Sequence, residues 1–254
     1  MRKLKSKLII RGKIKTHTGL HIGGSKTALD IGGVDLNIIK SPQGLPFIPG
    51  SSLKGKMRSL LAKIEGSSEV SNDSQYMLQL FGSSGDSDDS EPARLLTRDA
   101  YLDAASFRAT FEDIGGELEL GYSDIKVENT IDRKTGTAKH PRQLERIPAG
   151  AMFDFELVYD IYDDAYLPIK KGGKQTMLEK HFWGIAWAMK LLQNDYLGGH
   201  GSRGYGKISF EQVQTDLIEV ELPAEDTEEP AEQNTPEQVS KLISDFSEQL
   251  QKIA

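Results

Sequence analysis

Residues 7–15, "KLIIRGKIK", alternate between apolar and polar: Leu8, Ile10 and Ile14 fall on one face, and Ile9, Arg11, Lys13 and Lys15 mostly on the other. A period of two predicts a half-buried strand with a basic exposed face. After "IPG" the period changes. Leu53, Met57, Leu60, Leu61 and Ile64 recur at helical spacing, with Ser51 or Ser52 placed to cap the helix and Lys54, Lys56, Arg58 and Lys63 off its apolar side. A loop at such a helix start can present amides to a phosphate. Further strands are expected at about 94–103, 118–127 and 151–161, a short helix in "SQYMLQLF", a long helix over 181–193 and a last strand in "GKISFEQV". The order approximates βαββαβ with one extra strand, which predicts an α+β protein with a ferredoxin-like (RRM-like) core.

The core reads as one domain over residues 1–214, interrupted by insertions at about 16–50, 66–93 and 128–147. Residues 66–93 are rich in Ser, Asp and Gly and read as a mobile insertion around the short helix. The segment at 128–147 is too long for an ordinary hairpin loop and too basic for passive padding, so it is expected to project. An acidic, Pro-containing linker at 215–234 leads into an amphipathic helix at 235–254. There Thr235, Pro236 and Gln238 form a capping-box start, and Val239, Leu242, Ile243, Phe246, Leu250 and Ile253 make an apolar stripe. That stripe needs a surface, either on its own body or on a neighbour.

Composition excludes several classes of chemistry. The 254 residues contain no cysteine, which removes disulfides, thiolate metal sites and cysteine nucleophiles. No apolar run reaches a membrane span, and the basic N-terminus lacks the apolar region of a signal peptide, so a soluble, cytoplasmic protein with no membrane partner is expected. The net charge of −7 hides a strong polarity: residues 1–63 hold 13 Lys/Arg against 2 Asp/Glu, and residues 64–125 hold 3 against 14. A basic quarter of this kind is an electrostatic footprint for a nucleic-acid backbone, although an intramolecular acidic partner would neutralise it equally well.

The stretch "LGGHGSRGYGKISF" at 197–210 matches two nucleotide-binding patterns, G-x-G-x-x-G and, nearly, G-x-x-x-x-G-K-[ST]. Both require a strand before the glycines and a helix after them, and here the order is inverted, with Ile208 where a hydroxyl should meet Mg²⁺. A Gly-rich turn between helix and strand fits better, with glycines at positions of positive φ or close backbone approach. It leaves His200 and Arg203 available to a partner.

Four elements in order, "GLHIGG", "IGGVD", "IPGSSLKGKMR" and "GGHGSRGYGKI", with "ENTIDR" and "PRQLERIPAGAMFDFELVYD" between the last two, resemble the RAMP superfamily over roughly residues 5–213. The resemblance is strongest to the repeated backbone subunit of type III-A CRISPR effector (Csm) complexes. It implies a subunit that polymerises with copies of itself into a helical filament along a CRISPR RNA, beside other Csm subunits. It also implies cleavage of a complementary target RNA at six-nucleotide intervals. By position, Asp35 closes "IGGVD" and matches the family's catalytic residue, while Asp30 does not; His21 supports RNA binding; Ser51, Ser52, Lys54, Lys56 and Arg58 fall on the guide-contact surface. The 128–147 segment, with Arg133 and Arg142, matches a thumb-like hairpin that turns out one nucleotide in six, and His200 and Arg203 join the RNA-binding set.

RNA carries its own nucleophile, so a site needs to align the 2′-hydroxyl with the phosphorus and stabilise developing charge. One carboxylate, Asp35, then suffices if it holds a divalent cation, Mg²⁺ or Mn²⁺, with the phosphates as the other ligands. Read without the resemblance, Asp35 is a turn residue and His21 either a hydrogen-bonded turn histidine or an RNA contact, while Lys54 and Arg58 at a helix N-terminus still make an anion site, with a solvated helix face as the alternative. Two rival functions stay open: a filament subunit that never cuts, and a metal-independent nuclease processing precursor CRISPR RNA with a histidine base. Trp183 and Trp187, at i,i+4, suit packing or an interface better than base stacking.

Overall fold

The computed structural model of the chain describes residues 2–24, 35–83, 92–111, 121–167, 175–220 and 236–253. Strand β1, Leu4–Thr16, forms the centre of an antiparallel sheet. It pairs with β7, Met152–Tyr162, on one side and β8, Ile208–Glu219, on the other. Beyond β7 the sheet continues through β3, Leu95–Thr97, and β4, Ala100–Leu102, with β2, Phe47–Ile48, at the edge. The expected single strand at 94–103 is therefore two short strands, broken where Asp99 turns to meet a helix start.

Alternation assigns the two faces of β1 as its sequence requires. Leu8, Ile10 and Ile14 are fully buried and join Phe153, Phe155, Leu157 and Tyr159 of β7 in the core. Helices α1, Gly50–Glu65, and α4, Met177–Gln193, cover this side through Leu53, Met57 and Leu61, and Phe182, Ile185 and Met189. Each such side chain contributes about 1.5–3 kcal/mol on burial. Helix α4 starts earlier than its apolar stripe alone suggests, because Thr176 and Glu179 make a reciprocal capping box.

The opposite face of β1 explains where its charge goes. Lys7 pairs with Asp160, Arg11 with Glu156 and Asp216, Lys13 with Asp103 and Asp154, and Lys15 with Glu211. Adjacent antiparallel strands put acidic rows from β7 and β8 beside a basic central row, so the footprint anticipated on this strand is neutralised within the sheet. Charge free to meet a partner has to lie elsewhere.

Three further expectations change. Within the insertion at 66–93, helix α2, Gln75–Phe81, buries Tyr76, Met77, Leu80 and Phe81, and Gly184 of α4 leaves room for Leu80 and Tyr76 to approach; this part is packed core, and residues 84–91 lie outside the described residues. A helix absent from the sequence reading, α3, Ala104–Phe111, follows β4, with its one buried residue, Phe107, against Phe111 and Tyr122. The strand expected at 118–127 is β5, Asp124–Ile131, and it pairs only with β6, Ala138–Arg146, in a separate two-stranded sheet. The last helix, α5, Pro236–Ile253, docks on its own body: Phe246 stacks on Phe182 with centroids 4.4 Å apart, and Gln193 donates to the Ile253 carbonyl at 2.6 Å. Of the linker expected at 215–234, residues 215–219 are the end of β8, and residues 221–234 lie outside the described residues, as does Thr235.

A buried histidine gives this core a pH signature. His181 on α4 is fully buried with Nδ1 2.6 Å from the Tyr159 hydroxyl, and burial, with Arg94 nearby, lowers its pKa to about 3. The folded state keeps it neutral while the unfolded chain protonates it below about pH 6.5. Stability is therefore expected to fall as pH drops below that value, by about 1.4 kcal/mol per pH unit from this group. Thermal melts from pH 7 to 4.5 on the parent and His181→Leu chains test this; an unchanged slope in the variant rules it out.

Candidate nucleic-acid interface and cleavage site

Four segments meet at the base of the β5–β6 hairpin. The "GLHIGG" segment joins the hairpin through reciprocal Leu20 and Ile147 hydrogen bonds of 2.9 and 2.8 Å. Residues 36–40 run between them: the Ile39 amide donates to the Ile22 carbonyl, and the Glu145 amide to the Leu36 carbonyl. The Gly-rich loop closes the weave, with the amides of Gly199 and Gly206 donating to the His21 and Gly19 carbonyls. Two glycines there are dictated by space. At Gly198, with φ of 76°, a Cβ would lie 2.3 Å from the His21 carbonyl oxygen, and at Gly206, also at 76°, 2.0 Å from that of Leu197.

Glu145 is the buried centre of this weave. Its Oε1 accepts from the Ser123 hydroxyl and the Lys40 ammonium, both at 2.5 Å, and Oε2 accepts from the Ile38 amide at 3.0 Å. Burial raises the carboxyl pKa, but the bonds from Lys40, Ser123 and Ile38 outweigh it and hold the group below its ordinary value. The Glu145 carbonyl accepts from His21 Nδ1 at 2.8 Å, so Nδ1 carries the proton. His21 is 5% exposed, and its ring meets that of His200 edge-on at 5.3 Å.

Asp35 sits at the rim. Its carboxylate is exposed, and Oδ2 accepts from the Gln143 amide of β6 at 2.9 Å; Oδ1 has no hydrogen bond among the described residues. No group of three or more His, Asp or Glu side chains shaped to hold a metal occurs among the described residues. The donor set that fits a cation is thus one carboxylate with a free oxygen, the kind of site in which Mg²⁺ takes its other ligands from phosphates and water. Asp30 lies outside the described residues.

The predicted RNA-binding residues divide into three groups. Arg133 and Arg142 are exposed along the hairpin, the first in its turn and the second on β6 opposite Glu128. His200 and Arg203 lie in the Gly-rich loop beside His21, and Arg203 donates to Glu128 Oε2 at 3.2 Å. The His200 ring is held below its ordinary pKa by burial and by the nearby His21 and Arg203.

Helix α1 holds the third group and departs most from expectation. Arg58 donates to Asp73 at 2.7 Å and to the Gly82 carbonyl at 2.9 Å, which clips the α2 insertion to α1. Lys56 pairs with Asp195 at 3.2 Å and lies 3.6 Å from the Tyr196 ring centre. Lys54 has no hydrogen bond or ion pair among the described residues, and burial together with Arg58 lowers its ammonium pKa. Neither serine caps the helix: Pro49 is the cap residue, Ser51 and Ser52 lie inside the first turn, and the Gly50 amide donates to Asp99 at 2.8 Å. Asp99 reaches the helix from the sheet edge because Gly50 packs so closely that a Cβ there would clash with the Thr97 carbonyl. The amide expected to meet a phosphate is already taken by a carboxylate.

Glu128, Glu145 and Tyr205 were absent from the sequence reading. Glu145 carried one faint signal, an acid in a basic segment with buried Leu144 and Ile147 around it. The partnership of Glu128 with Tyr205 spans 77 positions, and nothing local announces it. Trp183 and Trp187 lie on α4 with ring centres 5.9 Å apart, and Lys180 and Lys190 sit over them.

The sequence and the fold both match known proteins. The family model described as RAMP superfamily matches residues 13–209. A protein named CRISPR system Cms endoribonuclease Csm3 from Streptococcus thermophilus is 42% identical over 217 residues, covering 84% of this chain and 91% of that protein. One of the same name from Methanocaldococcus jannaschii is 40% identical over 222 residues, 83% of this chain and 81% of that protein. Among solved structures, a Csm3–Csm4 subcomplex of a type III-A CRISPR-Cas interference complex aligns with a TM-score of 0.52 and 29% identity, covering 85% of this chain and 82% of that one. A type III-B Cmr-beta complex bound to cognate target RNA, at 19% identity and TM-score 0.52, covers 84% of this chain and 61% of that one and shares the fold. No helix among the described residues is long and apolar enough to cross a membrane. The chain belongs to the RAMP superfamily, in the family of the Csm3 endoribonucleases of CRISPR systems.

Proposed function

We propose that the chain is the backbone subunit of a type III-A CRISPR effector, binding guide RNA in a filament of its own copies and cutting the complementary target at six-nucleotide intervals. The core supports a ferredoxin-like reading: taking β3 and β4 together as the second of four strands gives the order β8, β1, β7, β4, all antiparallel, with α1 and α4 as the two crossovers. The β5–β6 hairpin is the thumb, inserted before β7.

The observation that carries the cleavage assignment is the hydrogen bond from the Gln143 amide to Asp35. It ties the carboxylate to the hairpin that would displace the target nucleotide, so one element both bends the strand and presents the negative charge. Asp35 would hold a divalent cation through Oδ1, and the cation when bound would neutralise the scissile phosphate. The protein's own share is orientation: the hairpin holds a nucleotide out of stack, where its 2′-hydroxyl can align with the phosphorus. His21 buttresses the site through its bond to the Glu145 carbonyl, and its enclosure favours that structural role over the role of a base.

Purifying the native assembly, identifying its RNA, and testing cleavage of a complementary strand with and without Mg²⁺ tests the whole proposal. A ladder with six-nucleotide spacing that a chelator removes is expected. Chelator-resistant cutting of a repeat hairpin overturns it. For binding, Lys54 is the cation of α1 without a partner among the described residues, so Lys54→Ala is expected to lower the salt-dependence slope of RNA affinity by about 0.7. Arg58→Ala should instead lower the melting temperature, and an unchanged slope for Lys54→Ala counts against its phosphate contact.

A further inference from the structure

We propose that Glu128 is a positioning residue: it holds Arg203 of the Gly-rich loop in the orientation that meets the RNA backbone, and so ties that contact to the hairpin. The inference rests on the reading of Arg203 as an RNA contact and adds how it is made.

Arg203 ends a single helical turn, Gly201–Arg203, bordered by His200 at φ 61° and Gly204 at φ 85°. A Cβ at Gly204 would meet nothing within 4 Å, so the outer side of the loop is open. An arginine there, its side chain 57% exposed, would sample many rotamers, and fixing them on binding costs conformational entropy. In the structure its NH1 donates to Glu128 Oε2 at 3.2 Å and lies 3.4 Å from His200 Nδ1. The guanidinium is planar, with five donors in a fixed fork, so holding NH1 aims the Nε–NH2 edge, which has no partner among the described residues.

An anchor has to be fixed itself, and Glu128 is. Its side chain is 17% exposed, and its other oxygen accepts from the Tyr205 hydroxyl at 3.0 Å and lies 3.3 Å from the Lys126 ammonium. Lys126 also sits 4.6 Å from the centre of the Tyr205 ring. Burial raises the Glu128 pKa, but Tyr205, Lys126 and Arg203 together bring it below its ordinary value, while the Tyr205 phenol is pushed up to about 12. At neutral pH the pair is a charged acceptor and a neutral donor.

The place in the hairpin is also informative. Between Glu128 and Thr130 the β5–β6 register shifts, and His140 on the facing strand has φ 54°. Beyond that irregularity both strands are largely exposed, whereas below it Arg146 and Asp124 form a two-point ion pair at the base. Glu128 thus stands where the hairpin stops being held by the core. Surface ion pairs contribute little to stability. The value of this one lies in direction, because two of the three donors converging on the carboxylate come from outside the loop turn and keep it still.

Filter binding of an unstructured single-stranded RNA to the full chain, over about 50 to 200 mM salt, tests this. Arg203→Ala should lower the slope by about 0.7. Glu128→Gln, similar in size, should bind about fivefold more weakly, the factor that matches half of an arginine's rotamer freedom, and should cost nothing more in the Arg203→Ala background. Arg203→Lys, on an exposed turn where folding is not at stake, keeps the cation and the slope but loses the fork, and should bind as weakly as Glu128→Gln. Equal losses in both backgrounds, no loss at all, or full affinity in Arg203→Lys overturn the proposal. If Arg203→Ala leaves slope and affinity unchanged, the reading of Arg203 as an RNA contact falls with it, an outcome distinct from Glu128 alone being inert.

Discussion

Replacing Asp35 with alanine is expected to lower cutting of a guide-complementary RNA by about 10²–10³-fold, the usual cost of removing one preorganised group from a developing charge. Affinity for the same RNA should hold within about twofold, because under the proposed assignment the contact made by Asp35 is realised in the transition state and not in the bound ground state. The geometry explains the split. The carboxylate is exposed at the rim, and the Gln143 amide holds it by one oxygen. Losing it unties no core residue and removes no basic side chain from the proposed RNA path. Cleavage assays on the assembled complex, set beside binding by the same preparation, measure both quantities. Retained cutting refutes the assignment of Asp35, and a parallel collapse of binding would mean that the residue serves the fold.

Glu145→Ala should show the opposite pattern, with stability lost first and activity following. It strands the Ile38 amide and the Ser123 hydroxyl and leaves Lys40 without its partner. Unsatisfied buried groups cost about 1–3 kcal/mol each, and a broken buried ion pair about 3–5. Lys40, 30% exposed, can turn to water and recovers part of this. A loss of about 2–4 kcal/mol is therefore expected, read as a shift of the denaturation midpoint. The pH dependence has a definite sign. The folded-state pKa of Glu145 lies below its ordinary value, so its stabilisation is complete above the ordinary carboxylate range and is lost as pH falls through the depressed value. The variant should thus lose less stability than the parent on acidification, and equal losses would contradict the role given to Glu145.

Local pattern made much of the scaffold legible. The alternation in "KLIIRGKIK" named the buried residues of β1, and the stripe on α1 named Leu53, Met57, Leu60 and Leu61 but also Ile64, which is exposed in the last turn; burial of one face is a local constraint with a fixed period, and it ends where the covering elements end. Glycine was legible too: the Gly-rich stretch reads as a turn, and Gly198 and Gly206 adopt the positive φ that makes it one. Elements that do not alternate against the main core were harder. Strand β5 was placed as a sheet strand when it pairs only with β6, and its exposed tip carries no apolar period.

The charges show the limit most clearly. Lys54 and Arg58 occupy equivalent places on one helix face, and no local pattern distinguishes them. Asp73, in a loop 15 residues on, claims Arg58 and leaves Lys54. The basic row of β1 is likewise silenced by acids about 150 and 200 residues away, brought alongside by strand pairing. The sequence by itself determined the strand and helix periods, the Gly-rich turn, the absence of cysteine chemistry and the family. Only the tertiary structure decided which cations are spent inside the fold, that Asp35 is held by the hairpin, and that Glu128 meets Arg203. The division follows from range: burial periodicity acts over a few residues, whereas charge pairing depends on which distant strands the sheet sets side by side.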